Sequence, residues 1–248
     1  MKRLILLTLA ILALAGLAPQ AAAQPARAEW TIMMYGAMDN DLERFLFYDI
    51  HELQMAGSTP EVNMVVQFDR TEGYETRWGD WTDTRRFYLT RKDAPSYTAQ
   101  EKLEIAADFF SNQMSLVYDE TYAELQAIQQ HDPAEFDAIF ASYQLHIRFD
   151  LDPVQVLGEV DMSDPRSLED FVTWSITEYP AERYMLVISS HGAGWAGIGP
   201  DYDSGRTIIL APDIEEGISA ALQNTGVDKL DIIGFDACLM AQYEVATE

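Results

Sequence analysis

Lys229-Leu230-Asp231-Ile232-Ile233-Gly234-Phe235-Asp236-Ala237-Cys238-Leu239-Met240 is a short apolar run that stops at Asp-Ala-Cys. Tyr184-Met185-Leu186-Val187-Ile188-Ser189-Ser190-His191-Gly192-Ala193-Gly194-Trp195 reads the same way. Near-continuous apolar runs of this length are the pattern of strands covered on both faces. One ends at His191 and the other at Cys238, the sole cysteine of 248 residues. Working outward, Trp30–Tyr35, Val62–Phe68 and Arg85–Leu89 read as further strands, the last nearer an edge. Leu42, Phe45, Leu46, Ile50 and Leu53 recur at helical spacing between the first two. Asp164-Pro165 opens a helix carrying Leu168, Phe171, Val172 and Ile176, because proline at the first helical position loses no hydrogen bond. A second helix carries Ile214, Ile218, Ala221 and Leu222, capped by Asp213 with Glu216 completing a capping-box pair, and ends at Gly226.

Alternating strands and helices predict an α/β fold, a mostly parallel sheet with helices on both faces. Sites in such sheets lie beyond the carboxyl ends of the strands, where both His191 and Cys238 fall. From Tyr97 to Asp150 glycine is absent and strand-type runs stop, so residues 97–150 read as a helical insertion. Residues 24–96 are then the first part of the core and residues 151–248 the second, carrying His191 and Cys238.

The N-terminus reads as a secretory signal over residues 1–23. Lys2 and Arg3 precede an apolar Leu4–Leu17, and Ala21-Ala22-Ala23 suits signal cleavage. An exported, soluble protein is expected, secreted or periplasmic, with no membrane association after signal removal. The formal charge of −25 becomes −27 (14 basic against 41 acidic residues) once Lys2 and Arg3 are gone. Such a surface excludes nucleic acid and anionic membrane as partners and attracts cations and basic polypeptide. An odd cysteine in an exported protein suggests a reactive thiol, against the alternative of an inert buried one.

A thiol attacks a carbonyl as the thiolate, which a neighbouring imidazole or helix N-terminus favours. Cys238 would have both, with His191 opposite and a helix expected from about Leu239. Gly192 and Cys238 can offer backbone N–H groups to an oxyanion.

Four blocks, in order, resemble the clostripain family of cysteine peptidases: Trp30–Tyr35 with Asp39-Asn40-Asp41-Leu42-Glu43, Leu157–Pro165, His191-Gly192-Ala193-Gly194-Trp195, and Gly234–Met240. The resemblance implies a caspase-like three-layer sandwich and cleavage of polypeptides after Arg or Lys. The His-to-Cys spacing (238 − 191 = 47) is near the ~50 of caspases. The resemblance also implies a His191/Cys238 dyad, Asp236 as the acidic residue of the P1 pocket, and self-cleavage at a basic residue between His and Cys. Arg206 and Lys229 are the candidates. Lys229 abuts a strand and is expected to be protected, so Arg206–Thr207 is the expected processing bond. No cofactor is required by this reading, no metal site is assigned, and a monomer is expected. Some family members depend on calcium, and the acids around Asp39–Asp41 and Asp201–Asp203 offer hard oxygens, although Asp39 and Asp41 are read first as helix caps. The family usually continues with sheet, loop and helix after the Cys helix. A chain stopping at Glu248 is therefore expected to be a fragment or to lack that wall. The competing reading is a non-catalytic acidic binding or adhesion module on a peptidase-like scaffold.

Overall fold

The computed structural model describes residues 27–93, 95–114, 116–147 and 149–247, so the expected signal segment lies outside the described residues. Strand β1 (Ala28–Ala37) leads into helix α1 (Glu43–Ala56), then β2 (Val62–Asp69) and β3 (Thr84–Tyr88). Three helices follow: α2 (Ala99–Met114), α3 (Tyr118–His131) and α4 (Pro133–Ser142). Next come β4 (Gln155–Gly158), α5 (Pro165–Glu178), β5 (Ala181–Ser189), a 3-10 turn at Gly194–Ala196, and the hairpin β6 (Ile198–Asp201) and β7 (Thr207–Ile209). Helix α6 (Ala211–Thr225), β8 (Ile232–Asp236) and a single turn α7 (Tyr243–Ala246) complete the chain.

The main sheet has the order β4-β3-β2-β1-β5-β8. Strands β2, β1, β5 and β8 run parallel, and β3 is antiparallel to both β2 and β4. Parallel strands need crossovers, and these carry the helices onto the two faces. Successive side chains of β1 point to opposite faces. Met33 and Tyr35 therefore join Leu186, Ile188, Leu168, Phe171 and Ile218 in one core under α5 and α6. Met34 joins Leu46, Phe47, Ile50, Val66 and Phe68 in a second core under α1. Gly36 marks the crossing of α1, since a Cβ there would lie 2.1 Å from Leu46 Cδ2. Helices α2 to α4 have a small core of their own, with Leu103, Phe110, Leu125, Phe136 and Phe140 buried.

Strand β3 lies next to the edge, as expected of it; the edge itself is β4, whose largely exposed residues gave no apolar pattern to read. Three expectations are corrected. Helix α6 starts at Ala211, so Asp213 is its third residue, and its carboxylate reaches back to accept from Leu210 N–H at 3.0 Å. Glu216 has no part in that cap. The helix expected from about Leu239 does not form there: Leu239 has φ 63°, a left-handed turn that breaks helical continuation, and the short α7 begins only at Tyr243. Finally, Lys229 is not protected; its side chain is 74% exposed beside Asp231.

Candidate active site

The register between β5 and β8 sets the site. Ser189 pairs with Asp236, an offset of 47 residues. His191 and Cys238 share that offset, each two residues beyond the last paired position, so the chain delivers both from adjacent strand ends about 4.8 Å apart. Gly192 closes the junction. A Cβ at this position would lie 2.1 Å from Cys238 O and 2.8 Å from Cys238 N, so only glycine lets the loop after His191 rest on the Cys238 backbone. Ala193 N–H donates to Gly197 O and Gly199 N–H donates to His191 O, which leaves Gly192 N–H outside that short ladder. The expected oxyanion donors, Gly192 and Cys238, are thus brought together. Both His191 and Cys238 are solvent-accessible, and the cysteine is a free thiol.

His191 has a partner that the sequence reading assigned elsewhere. Its Nε2 lies 2.9 Å from Asp41 Oδ1. Tyr202 OH donates to the same oxygen at 3.1 Å. The hydrogen bond from His191 holds the Asp41 carboxyl below its ordinary range, with Tyr202 adding to the effect. Asp41 therefore does not cap α1. Neither does Asp39; the residue before α1 is Leu42, whose N–H donates to Asn40 Oδ1 at 3.0 Å. Asn40 Nδ2 also donates to Ser190 Oγ and Pro200 O, tying the loop after β1 to the ends of β5 and β6.

Beside Cys238 lies a cleft of about 560 Å³ lined by residues including Met38, Leu42, Phe45, Asp49, Asp236 and Cys238. Its walls are apolar and its charges acidic. Ser189 Oγ donates to Asp236 Oδ2 at 2.7 Å, which orients this carboxylate. Asp49, from α1, is the second carboxylate of the cleft and was missed. Burial pushes its carboxyl from 3.8 up to about 6, with Asp236 and then Glu52 adding repulsion. The available signal was helical periodicity: Asp49 follows Leu42, Phe45 and Leu46 by seven, four and three residues, on an otherwise apolar face. A larger cleft of about 760 Å³, lined by Ile214, Ile218, Ile233, Phe235 and Met240 among others, lies where β8 leaves Ile232 and Ile233 exposed. It holds neither His191 nor Cys238.

Arg206 sits exposed in the β6–β7 turn with φ 63° and its guanidinium 4.2 Å from the Tyr202 ring centre. It is away from the cleft, on the same hairpin that supplies Tyr202 to Asp41. The acids next to the site are more interlocked than their spacing suggested. Asp39, Asp69, Glu159 and Asp201 converge at the ends of β1, β2, β4 and β6. Asp41 and Asp203 stay outside this group. Burial is the main reason that Asp39 is pushed up to about 6 and Glu159 to about 7.

No helix among the described residues is long and apolar enough to cross a membrane. The chain is 23% identical over 231 residues to clostripain from Hathewaya histolytica, covering 87% of this chain and 35% of that protein. Its fold is similar to two structures of a secreted C11 cysteine protease from Bacteroides thetaiotaomicron. One, in complex with an irreversible peptide inhibitor, aligns with TM-score 0.53 and 20% identity over 88% of this chain and 45% of that one. The other aligns with TM-score 0.54 and 15% identity over 90% and 49%. The chain thus spans about a third of the curated relative and about half of the solved ones. The sequence profile of the clostripain family matches residues 34–248, so the chain belongs to the clostripain family.

Proposed function

We propose that this chain carries the catalytic half of a secreted cysteine endopeptidase that cleaves after Arg or Lys. The observation that carries this reading is the shared 47-residue offset that sets His191 beside Cys238 above an acidic cleft. Asp41 is an acceptor, so the proton of the neutral imidazole resides on Nε2 and Nδ1 is left as the base. The Cys238 proton passes to His191 Nδ1, and the thiolate adds to the scissile carbonyl. Negative charge collects on the carbonyl oxygen, where Gly192 and Cys238 N–H groups can donate to it. Collapse breaks the C–N bond, and His191 returns its proton to the leaving amine. Water, deprotonated by the same imidazole, then hydrolyses the thioester and restores the thiol. No cofactor takes part in these steps. Asp236 and Asp49 favour a guanidinium or ammonium in the cleft, since charge-assisted hydrogen bonds to carboxylates are the strong ones. The net charge of −25 suits basic polypeptide substrates and repels nucleic acid. Export follows from the expected signal segment, and a monomer remains the simplest state.

Self-processing at Arg206–Thr207 belongs to the same reading, because Arg206 is an exposed basic residue on the hairpin that contacts Asp41. Lys229 is exposed as well and competes as the processing site. Intact-mass analysis separates them: a break after Arg206 that disappears in Arg206→Gln supports the assignment, and a break after Lys229 overturns it.

The test of the function is turnover of reporter peptides with Arg, Lys or Asp at P1 by the full-length protein. Cys238→Ala should abolish Arg and Lys turnover, and an Arg-based electrophile should label Cys238. Wild-type turnover by Cys238→Ala would refute the reading. A folded protein whose thiol ignores that electrophile would favour a non-catalytic acidic binding module.

A further inference from the structure

His191 is held at its backbone and at its ring, and the β6–β7 hairpin has a part in both. Gly199 N–H donates to His191 O at 3.1 Å, and Gly192 forms a bridge with Ile198. The ring is held by Asp41 Oδ1, 2.9 Å from Nε2. That contact is weak on its own. The His191 and Asp41 side chains are 41% and 51% exposed. Charged pairs open to water contribute little and do not fix two side chains in one geometry. A catalytic imidazole needs a fixed partner, because the hydrogen bond at one ring nitrogen decides what the other nitrogen can do.

Tyr202 supplies what the pair lacks. It grips the loop after β1 at two points: its N–H donates to Asp39 O at 2.9 Å and its OH donates to Asp41 Oδ1 at 3.1 Å. Asp203 N–H adds a bond to Asp39 Oδ2 at 2.8 Å. The Tyr202 ring is itself held. The Arg206 guanidinium lies 4.2 Å from its centre, and the Tyr74 ring, from the β2–β3 loop, lies 6.1 Å away at 54°. Contacts of these kinds restrict an aromatic side chain. Loss of water contact, and then the Asp41 carboxylate, push the phenol up, so it remains a proton donor.

On the reading of His191 and Cys238 as the dyad, we infer that Tyr202 is a positioning residue, whose phenol fixes the Asp41 carboxylate that orients the His191 imidazole. Tyr202 does not line the cleft beside Cys238, so it acts through Asp41. Sharing one oxygen also sets the strength of the pair. A phenol donating to Oδ1 draws off part of the negative charge that favours a proton on His191. Without it Asp41 favours the imidazolium more strongly, and the neutral base appears at higher pH. Asp41 is acted on by His191 from the end of β5 and by Tyr202 from the hairpin, and Tyr202 in turn by Arg206 and Tyr74. Cys238 faces His191 from the end of β8. Of these side chains, histidine is the one whose ordinary range lies near neutrality, so the effect is read on it. No local pattern marks Tyr202 in the sequence, since its partner lies 161 residues earlier.

The test uses the full-length protein, with every variant in the same processing state by intact mass and active sites counted by labelling Cys238 with an Arg-based electrophile. Tyr202→Phe keeps the ring, its contacts and the backbone bond to Asp39, and removes only the O–H. It should lower kcat for an Arg reporter about tenfold, the low end for a hydrogen bond to a charged group, with KM within about twofold. The acid limb of kcat/KM should move up by about half a pH unit, which a merely structural role would not do. The melting temperature should stay within about 2 °C of the parent. In an Asp41→Ala background the same substitution should cost nothing further, because a residue acting through Asp41 has no partner there. Parental kcat and an unmoved acid limb in Tyr202→Phe overturn the proposal. So does an equal loss with and without Asp41, or a raised KM at parental kcat, which would place Tyr202 against substrate. Cys238→Ala with parental turnover, by contrast, refutes the peptidase reading itself.

Discussion

Replacing Asp49 with Asn should make the protein more stable and less selective. Asp49 is half-buried in the cleft beside Cys238, and its carboxyl is raised from 3.8 to about 6 by burial, Asp236 and Glu52. The folded state thus binds the Asp49 proton more tightly than the unfolded chain does. Its contribution to stability is greatest below about pH 4 and is lost as pH rises through about 6. A two-unit shift corresponds to roughly 3 kcal/mol, and partial solvent contact reduces this to about 1–2 kcal/mol. Asp49→Asn should therefore raise the melting temperature by about 3–6 °C at about pH 7.5 and by almost nothing at about pH 4. The same substitution removes one carboxylate from the P1 cleft. With Asp236 still present, kcat/KM for an Arg reporter should fall about tenfold at about pH 7.5, the low end of the 1.5–3 kcal/mol expected of a hydrogen bond to a charged group. At about pH 5 Asp49 is about nine-tenths protonated, so the loss should be small, and a reporter with a neutral P1 should lose nothing at either pH. The assay is paired: calorimetric melting and reporter turnover at both pH values, wild type against Asp49→Asn. An Asp49→Asn protein that is destabilised at about pH 7.5, or that loses Arg and neutral reporters equally, refutes the reasoning.

Asp41→Asn keeps the shape of the partner but weakens the hold on His191 Nε2–H. It should lower kcat by about tenfold to a hundredfold with KM little changed, short of the full range for general acid–base catalysis because His191 itself remains. A raised KM at constant kcat would show that Asp41 serves substrate binding instead. The Arg70–Glu43 pair is fully buried at 2.7 Å, with the guanidinium stacked on Phe47 and Trp81. Burial pushes Glu43 up to about 7 despite Arg70 and the backbone donors of Thr71 and Glu75. Arg70→Met leaves Glu43 without its counter-charge and should cost about 3–5 kcal/mol in denaturant unfolding. The double substitution Arg70→Met with Glu43→Met should recover most of that loss, and a double variant no more stable than Arg70→Met would count against it.

The sequence discloses those parts whose physics is local. Strands β1 and β5 were legible because burial on both faces leaves continuous apolar runs, and α5 was legible from Asp164-Pro165 and its apolar stripe. Strand β8 has an apolar run of the same kind, but it lies at the sheet edge with Ile232 and Ile233 exposed, so the burial on both faces expected of it is corrected. Strand β4 was not, because an exposed edge has no hydrophobic pattern to impose. The helix expected after Cys238 failed for a similar reason, since a left-handed turn at Leu239 is a property of the loop's path and not of leucine. The ends of two apolar runs located His191 and Cys238, family resemblance gave them the role of a dyad, and the strand register explains their spacing. The partners of these residues were hidden by the acidity of the chain. With 41 acidic residues, any single carboxylate is read as a solvated charge or a cap. Local sequence favours the cap for Asp39 and Asp41, because both precede a helix. What decides otherwise is where the chain leaves a parallel sheet. At the carboxyl ends of β1, β2 and β6 a side chain faces neither helix layer, and acids from segments far apart in sequence meet there. Asp41 then meets His191 across 150 residues, and Asp39 joins Asp69 and Asp201 in a space that shuts out water. Charges gathered in such a place repel one another at short range and with little solvent to screen them, so they persist only if something positive or proton-bearing completes the set. For Asp41 that partner is the imidazole of His191, and in the four-carboxylate group it is the proton itself, since burial and mutual repulsion push Asp39 up to about 6, Glu159 to about 7 and Asp69 well above the usual carboxylate range.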